Sequence, residues 1–212
     1  MRRCSLVKYL PGQKKLPNKF ADTELALSQL LNLPLLSIGR AHCLIWIHFG
    51  EWLIQPDRHG GTRTVGTWAL HIECPWRLTN KYGIVTGAGD RWLPPNLSED
   101  SDEWDYEFDP NTERTQLDLK MQQFASQNKG VRIKCVQTDN TGGFRLSFEH
   151  GTELEVFPTN SQDVDFWRLF QPGNETEHFV VTGTGASGPS LVKEDEVRQH
   201  SKEILRNESP TP

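Results

Sequence analysis

His71 and Glu73 lie two positions apart in TVGTWALHIEC, so on an extended strand they leave the same face while Cys74 leaves the other. An imidazole beside a carboxylate is the usual material of general acid–base catalysis or of a metal site. His42 and His48 share one face of the neighbouring run CLIWIHFG, and His59 falls in the connection that follows. Convergence of His48, His71 and Glu73 would suit a small metal-assisted hydrolase or nuclease. Their spacing matches no named metal motif, and separate hydrogen bonding of each imidazole accounts for the same residues. No catalytic residue and no metal ligand is therefore assigned.

Three other patterns reduce to structure. Cys74 would need His71 as its base to act as a nucleophile, and strand geometry puts the two on opposite faces. It reads as a small buried residue ending a strand before Pro75. Gly183-Thr-Gly185-Ala-Ser-Gly188 spells GxGxxG after a strand, but a dinucleotide site needs that turn inside a βαβ unit, and no later strand is legible. No cofactor is expected. Arg77 and Arg168 follow Trp76 and Trp167, a pairing that can stack on a base or clamp a carboxylate, yet equally places a core ring beside a surface cation.

The least ordinary feature is the segment 99–109, EDSDEWDYEFD, with seven carboxylates and no base. Trp104, Tyr106 and Phe108 alternate there with Asp102, Glu103, Asp105 and Glu107. An extended strip would show rings on one side and acids on the other, which suits a basic protein partner that covers the rings and neutralises the charge. The net charge of −5 is concentrated in this strip, and a sequence pI of about 5.8 does not favour nucleic acid.

These residues need elements to position them. The sequence predicts an α+β domain over 21–185: an antiparallel sheet of six or seven strands, two layers deep, with two or three short helices. Residues 1–20 carry six bases and no acid and read as a basic arm; 86–113 read as a long acidic surface loop; 186–212 read as a flexible charged tail. TELALSQLLN is expected as a helix capped by Asp22, and TQLDLKMQQFASQ as a second with Leu117, Met121 and Phe124 inward. VRIKCVQT, FRLSFEH and TELEVFPT are expected to form a three-strand meander, with Val131, Ile133 and Cys135 inward or the reverse parity. QDVDFWRLF is expected as a short helix capped by Ser161, burying Trp167 and Phe170 at i, i+3 spacing. No run reaches the roughly 18 apolar residues of a membrane helix. With four scattered Cys and no CxxC, a cytoplasmic setting with free thiols is expected.

IGRA (38–41), LHIECPWRL (70–78), GGFRLSF (142–148), LEVFP (154–158), WRLF (167–170) and HFVVTG (178–183) occur in that order. On these motifs the chain resembles a family of small, uncharacterised bacterial proteins over roughly 25–183. The resemblance implies a bacterial cytosolic setting and brings no activity or catalytic residue. The expected function is a non-enzymatic protein-binding domain, such as an immunity-type inhibitor or defence-associated protein engaging a basic partner. The alternatives are the metal-assisted hydrolase and a structural subunit of a larger complex.

Overall fold

The computed structural model describes residues 19–57, 59–95, 108–174 and 177–189. Eleven strands and two α-helices run along these segments. One antiparallel sheet has the order β1 (Leu35–Ala41), β2 (Leu44–Pro56), β3 (Thr62–Ile72), β9 (Asp165–Phe170), β10 (Phe179–Thr182), β11 (Gly185–Ser187). The other has the order β5 (Gly83–Gly87), β4 (Trp76–Asn80), β8 (Glu153–Val156), β7 (Phe144–Phe148), β6 (Ile133–Thr138). The expected α+β class and the β6–β7–β8 meander are present, with more strands than the sequence suggested. No helix is long and apolar enough to cross a membrane among the described residues.

The two sheets share one core. Ile45, Ile47 and Phe49 of β2, Leu70 and Ile72 of β3, and Trp167 and Leu169 of β9 belong to the same buried cluster as Leu78, Leu146, Phe148, Leu154 and Val156. Trp167 joins the layers: its ring meets Phe144 of β7 edge-on at 5.0 Å and its Nε1 donates to the Gly142 carbonyl at 2.7 Å. The chain changes sheets at Glu73–Pro75, where the N–H groups of Glu73 and Cys74 both donate to the Phe166 carbonyl. At another border, Leu35 N–H donates to Val131 at 2.8 Å and Gly130 N–H donates back to Leu35 at 3.0 Å.

Helix α1 (Thr23–Ser28) buries Ala26 and Leu27; Asp22 occupies its N-cap without a side-chain cap bond. Helix α2 (Gln116–Gln127) buries Leu117, Met121 and Phe124 as expected, and starts in a capping box between Thr115 and Asp118. The Asp118 carboxylate also takes both arms of Arg40 from β1, at 2.7 Å each, while Arg40 donates to the carbonyls of Pro110 and Glu113. One arginine thus ties the first strand to the start of α2 and the turn before it. Burial pushes the Asp118 carboxyl up, but the Arg40 hydrogen bond, with those of Thr115, outweighs it and leaves the group below its usual range.

Several expectations are corrected. QDVDFWRLF is not a helix: its second half is β9, with Trp167 and Leu169 inward and Arg168 and Phe170 outward. A run this short cannot sustain a helix alone, and pairing with β3 and β10 satisfies its backbone. The loop expected over 86–113 starts later, because Thr86 and Gly87 end β5 and Ala88–Trp92 form a 3-10 helix that buries Arg91. The tail begins later too: Ala186 and Ser187 pair with β10. Cys135 is exposed although Ile133 is buried, because a bulge between them reverses the parity of β6.

Candidate binding face

The strand residues that alternate with the core form two cross-strand rows on the other face of the six-stranded sheet. In the first, Gly39, Trp46, His71, Arg168 and Val180 are successive neighbours from β1 to β10. In the second, Ser37, His48, Ala69 and Phe170 are neighbours from β1 to β9. His178, just before β10, stacks on Phe170 with ring centroids 4.3 Å apart. His71 meets the same Phe170 edge-on at 4.8 Å. Trp46 lies 5.1 Å from His48, which meets Trp52 edge-on at 6.2 Å. Aromatic and imidazole rings therefore run across β2, β3 and β9 to the residue that precedes β10.

Arg168 Nε donates to His71 Nδ1 at 3.4 Å, so that nitrogen is the acceptor and the ring carries its proton on Nε2. Burial pushes the imidazolium form of His71 down to about 4, helped by the charge of Arg168 and by His48 and His178. His48 is lowered as well, by burial first and then by Arg63. Both rings are neutral at physiological pH, and a His71 held so low is a weak base.

The candidate chemistry is placed as follows. Glu73 lies past the end of β3 with its side chain exposed. His42 sits exposed at the β1–β2 turn in left-handed backbone, φ 54°. His59 is exposed in the β2–β3 loop, its N–H donating to Asp57. Among the described residues no group of three or more His, Cys, Asp or Glu is gathered closely enough to hold a metal ion. Cys74 is buried, and burial pushes its thiol up to about 12. At neutral pH it is protonated and part of the core.

Asp102, Glu103, Trp104, Asp105, Tyr106 and Glu107 lie outside the described residues. Phe108 is half-buried. Asp109 closes a local turn, accepting from Asn111 N–H at 2.9 Å and from Thr112 Oγ1 at 3.0 Å. Those bonds hold its carboxyl below the usual range.

The ring rows continue onto a two-stranded ribbon. Beyond the bulge at Gly50 (φ 92°), β2 pairs only with β3, and Trp52, Leu53 and Ile54 are 48%, 39% and 76% exposed. Arg63 on the ribbon and Arg168 in the first row have no carboxylate within ion-pair distance among the described residues. The other sheet differs. There Arg77 and Arg145 both bind Glu155 across β4, β8 and β7. Burial alone would raise the Glu155 carboxyl; the two arginines outweigh it and hold the group below its usual range. On that outer face the two arginines share a carboxylate, whereas Arg63 and Arg168 of the ring-bearing face have none among the described residues.

Sequence reasoning named His48, His71 and Arg168, but missed Trp52 and His178 and placed Phe170 in the core. Reading 162–170 as a helix sent Phe170 inward; a strand parity continued from β10 back to His178 would have put it in phase with Val180. No family model matches this chain, and neither does any curated protein or solved structure.

Proposed function

We propose that this chain is a non-enzymatic protein-binding domain whose interface is the ring-bearing face of the six-stranded sheet, continued onto the β2–β3 ribbon. The observation that carries this reading is the combination of exposed Trp52 and Ile54 with the guanidinium groups of Arg63 and Arg168, which have no carboxylate partner among the described residues. Exposed apolar side chains clustered beside cations without a carboxylate fit a protein surface that presents carboxylates among apolar groups. The rings anchor such a partner and the arginines select it. The strip 99–109 supports a second contact, with a basic protein, on its sequence alone. An immunity-type inhibitor and a subunit of a larger complex are two forms such a domain takes.

The test is site-specific photocrosslinking in cells, with a benzophenone amino acid at position 52 and, as a control, at Tyr82. Tyr82 is 85% exposed on the other sheet. Position 52 is expected to give a discrete adduct with one acidic protein, lost on Arg168→Gln. No adduct at 52, or the same adducts at 82, would rule this interface out.

A further inference from the structure

Arg91 projects from the 3-10 helix Ala88–Trp92 into the junction of that helix, the β1–β2 turn and the turn at 109–112. It is 7% exposed, and the carboxylate acting on its guanidinium, Asp109, does so at a distance rather than by hydrogen bond. Nη1 donates to the Cys43 sulfur at 3.1 Å, Nη2 donates to Asn111 Oδ1, and Nε is buried without a partner. The Trp92 ring centroid lies 4.5 Å from the guanidinium carbon. No carboxylate stands within ion-pair distance of Arg91 among the described residues.

A buried cation is costly unless an anion lies beside it. Of the groups hydrogen-bonded to Arg91, Asn111 is a neutral amide, and only the Cys43 sulfur can take a negative charge. Arg40, fixed by Asp118, is within electrostatic reach of the same sulfur. Cys43 occupies the two-residue turn between Ala41 and Leu44 and is open to solvent. The other described thiols lack this combination. Cys74 is in the core, and Cys135 is exposed with only the Val136 carbonyl, 3.8 Å away, as a partner. Cations beside an accessible sulfur are the setting in which cysteine becomes a nucleophile.

We propose that Cys43 is a site of reversible oxidative modification, its sulfur held as a nucleophile by Arg91. The oxidant class is a hydroperoxide. The sulfur attacks one peroxide oxygen, an S–O bond forms, the O–O bond breaks, and the departing hydroxide or alkoxide takes a proton from water. The cysteine is oxidised to a sulfenic acid and the peroxide is reduced to water or an alcohol. A small thiol then attacks the sulfenic sulfur, and water leaves as a mixed disulfide forms. Modification adds bulk at the sulfur that Arg91 Nη1 contacts, which loosens the link between the β1–β2 turn and the 3-10 helix.

Cys135 supplies an internal reference, so the unmodified full-length protein decides the matter. The reduced chain is treated with limiting iodoacetamide at neutral pH, and alkylation is followed site by site by mass spectrometry. Cys43 is expected to react at least about ten-fold faster than Cys135. A second sample, exposed to hydrogen peroxide with dimedone present, is expected to carry dimedone on Cys43. Arg91→Met should bring Cys43 down to the rate of Cys135. Asn111→Ala is a milder change at an exposed residue and should lower the rate part of the way. Equal alkylation of the two thiols in the wild-type chain, or equal dimedone labelling, would overturn the proposal whether or not the variants fold.

Discussion

Trp46 lies across Gly39, so closely that a Cβ at position 39 would come within 2.2 Å of the indole Cζ2. The glycine is therefore a seat for the ring, and its lack of a side chain keeps the indole flat against β1 beside His48. Gly39→Ala should force the indole off the sheet, since the clashing atoms belong to a rigid ring. We expect a loss of about 1–3 kcal/mol in urea unfolding, in the range of an overpacked site. The near-UV circular dichroism should change as Trp46 leaves His48. Unchanged spectra and an unchanged midpoint would mean that the ring is not seated there.

The strands β2, β3, β7 and β8 were legible because each carries either alternation or an apolar run bounded by turn residues. Helix α2 was legible because Leu117, Met121 and Phe124 fall on one side. What was not legible depended on long-range pairing. DFWRLF contains both an i, i+3 pair and an alternating pattern, and only its neighbours β3 and β10 select the strand. The bulge in β6 reverses the parity at Cys135 without a glycine or proline to announce it. The candidate face was half legible for the same reason: Trp46, His48 and His71 sit on recognisable strands, whereas Phe170 and His178 join them only through the register of β9 and β10.

Trp167 is fully buried between the two sheets, against Phe144 and Phe179, and its indole N–H is satisfied by Gly142. Trp167→Ala removes the ring that joins the layers and leaves the Gly142 carbonyl without its donor. The expected cost is about 3–5 kcal/mol. Equilibrium urea unfolding, compared with wild type, measures it. A cost below about 1 kcal/mol would show that the sheets close over the cavity or that the ring does not bridge them.

Two truncations locate the end of the fold. Ala186 N–H donates to Lys19 at 3.0 Å, Ala186 and Ser187 pair with β10, and a Cβ at Gly188 would meet Phe179 at 2.8 Å. A chain ending at Pro189 keeps these contacts, and one ending at Gly185 loses them. We expect the shorter chain to be less stable by about 1–2 kcal/mol, the worth of two or so hydrogen bonds with their packing. Equal melting temperatures would place the boundary at Gly185, where the sequence alone had put it.

His71 faces Trp46 on β2, Arg168 and Phe170 on β9, and the rings of His48 and His178, with Glu73 two residues on, just past the end of β3. In the unfolded chain its imidazole takes a proton near 6.5, whereas in the fold burial and the Arg168 charge delay protonation to about 4. Between these values the unfolded state binds more protons than the native state, so stability rises with pH across the window and falls as acid is added. The contribution is complete above 6.5 and exhausted below about 4. His48 is lowered in the same direction and adds to the slope. Asp118 and Glu155 are held below ordinary values of 3.8 and 4.5, so their losses come at the acid end of the window. The slope between 6.5 and 4.5 therefore reports mainly on the histidines. His71→Phe keeps a ring beside Phe170 and has no proton to bind. Its urea midpoint should vary less with pH across that interval than the wild-type midpoint does. Parallel curves for the two proteins would mean that His71 titrates in the fold as it does in the unfolded chain, and that Arg168 and burial do not hold it neutral.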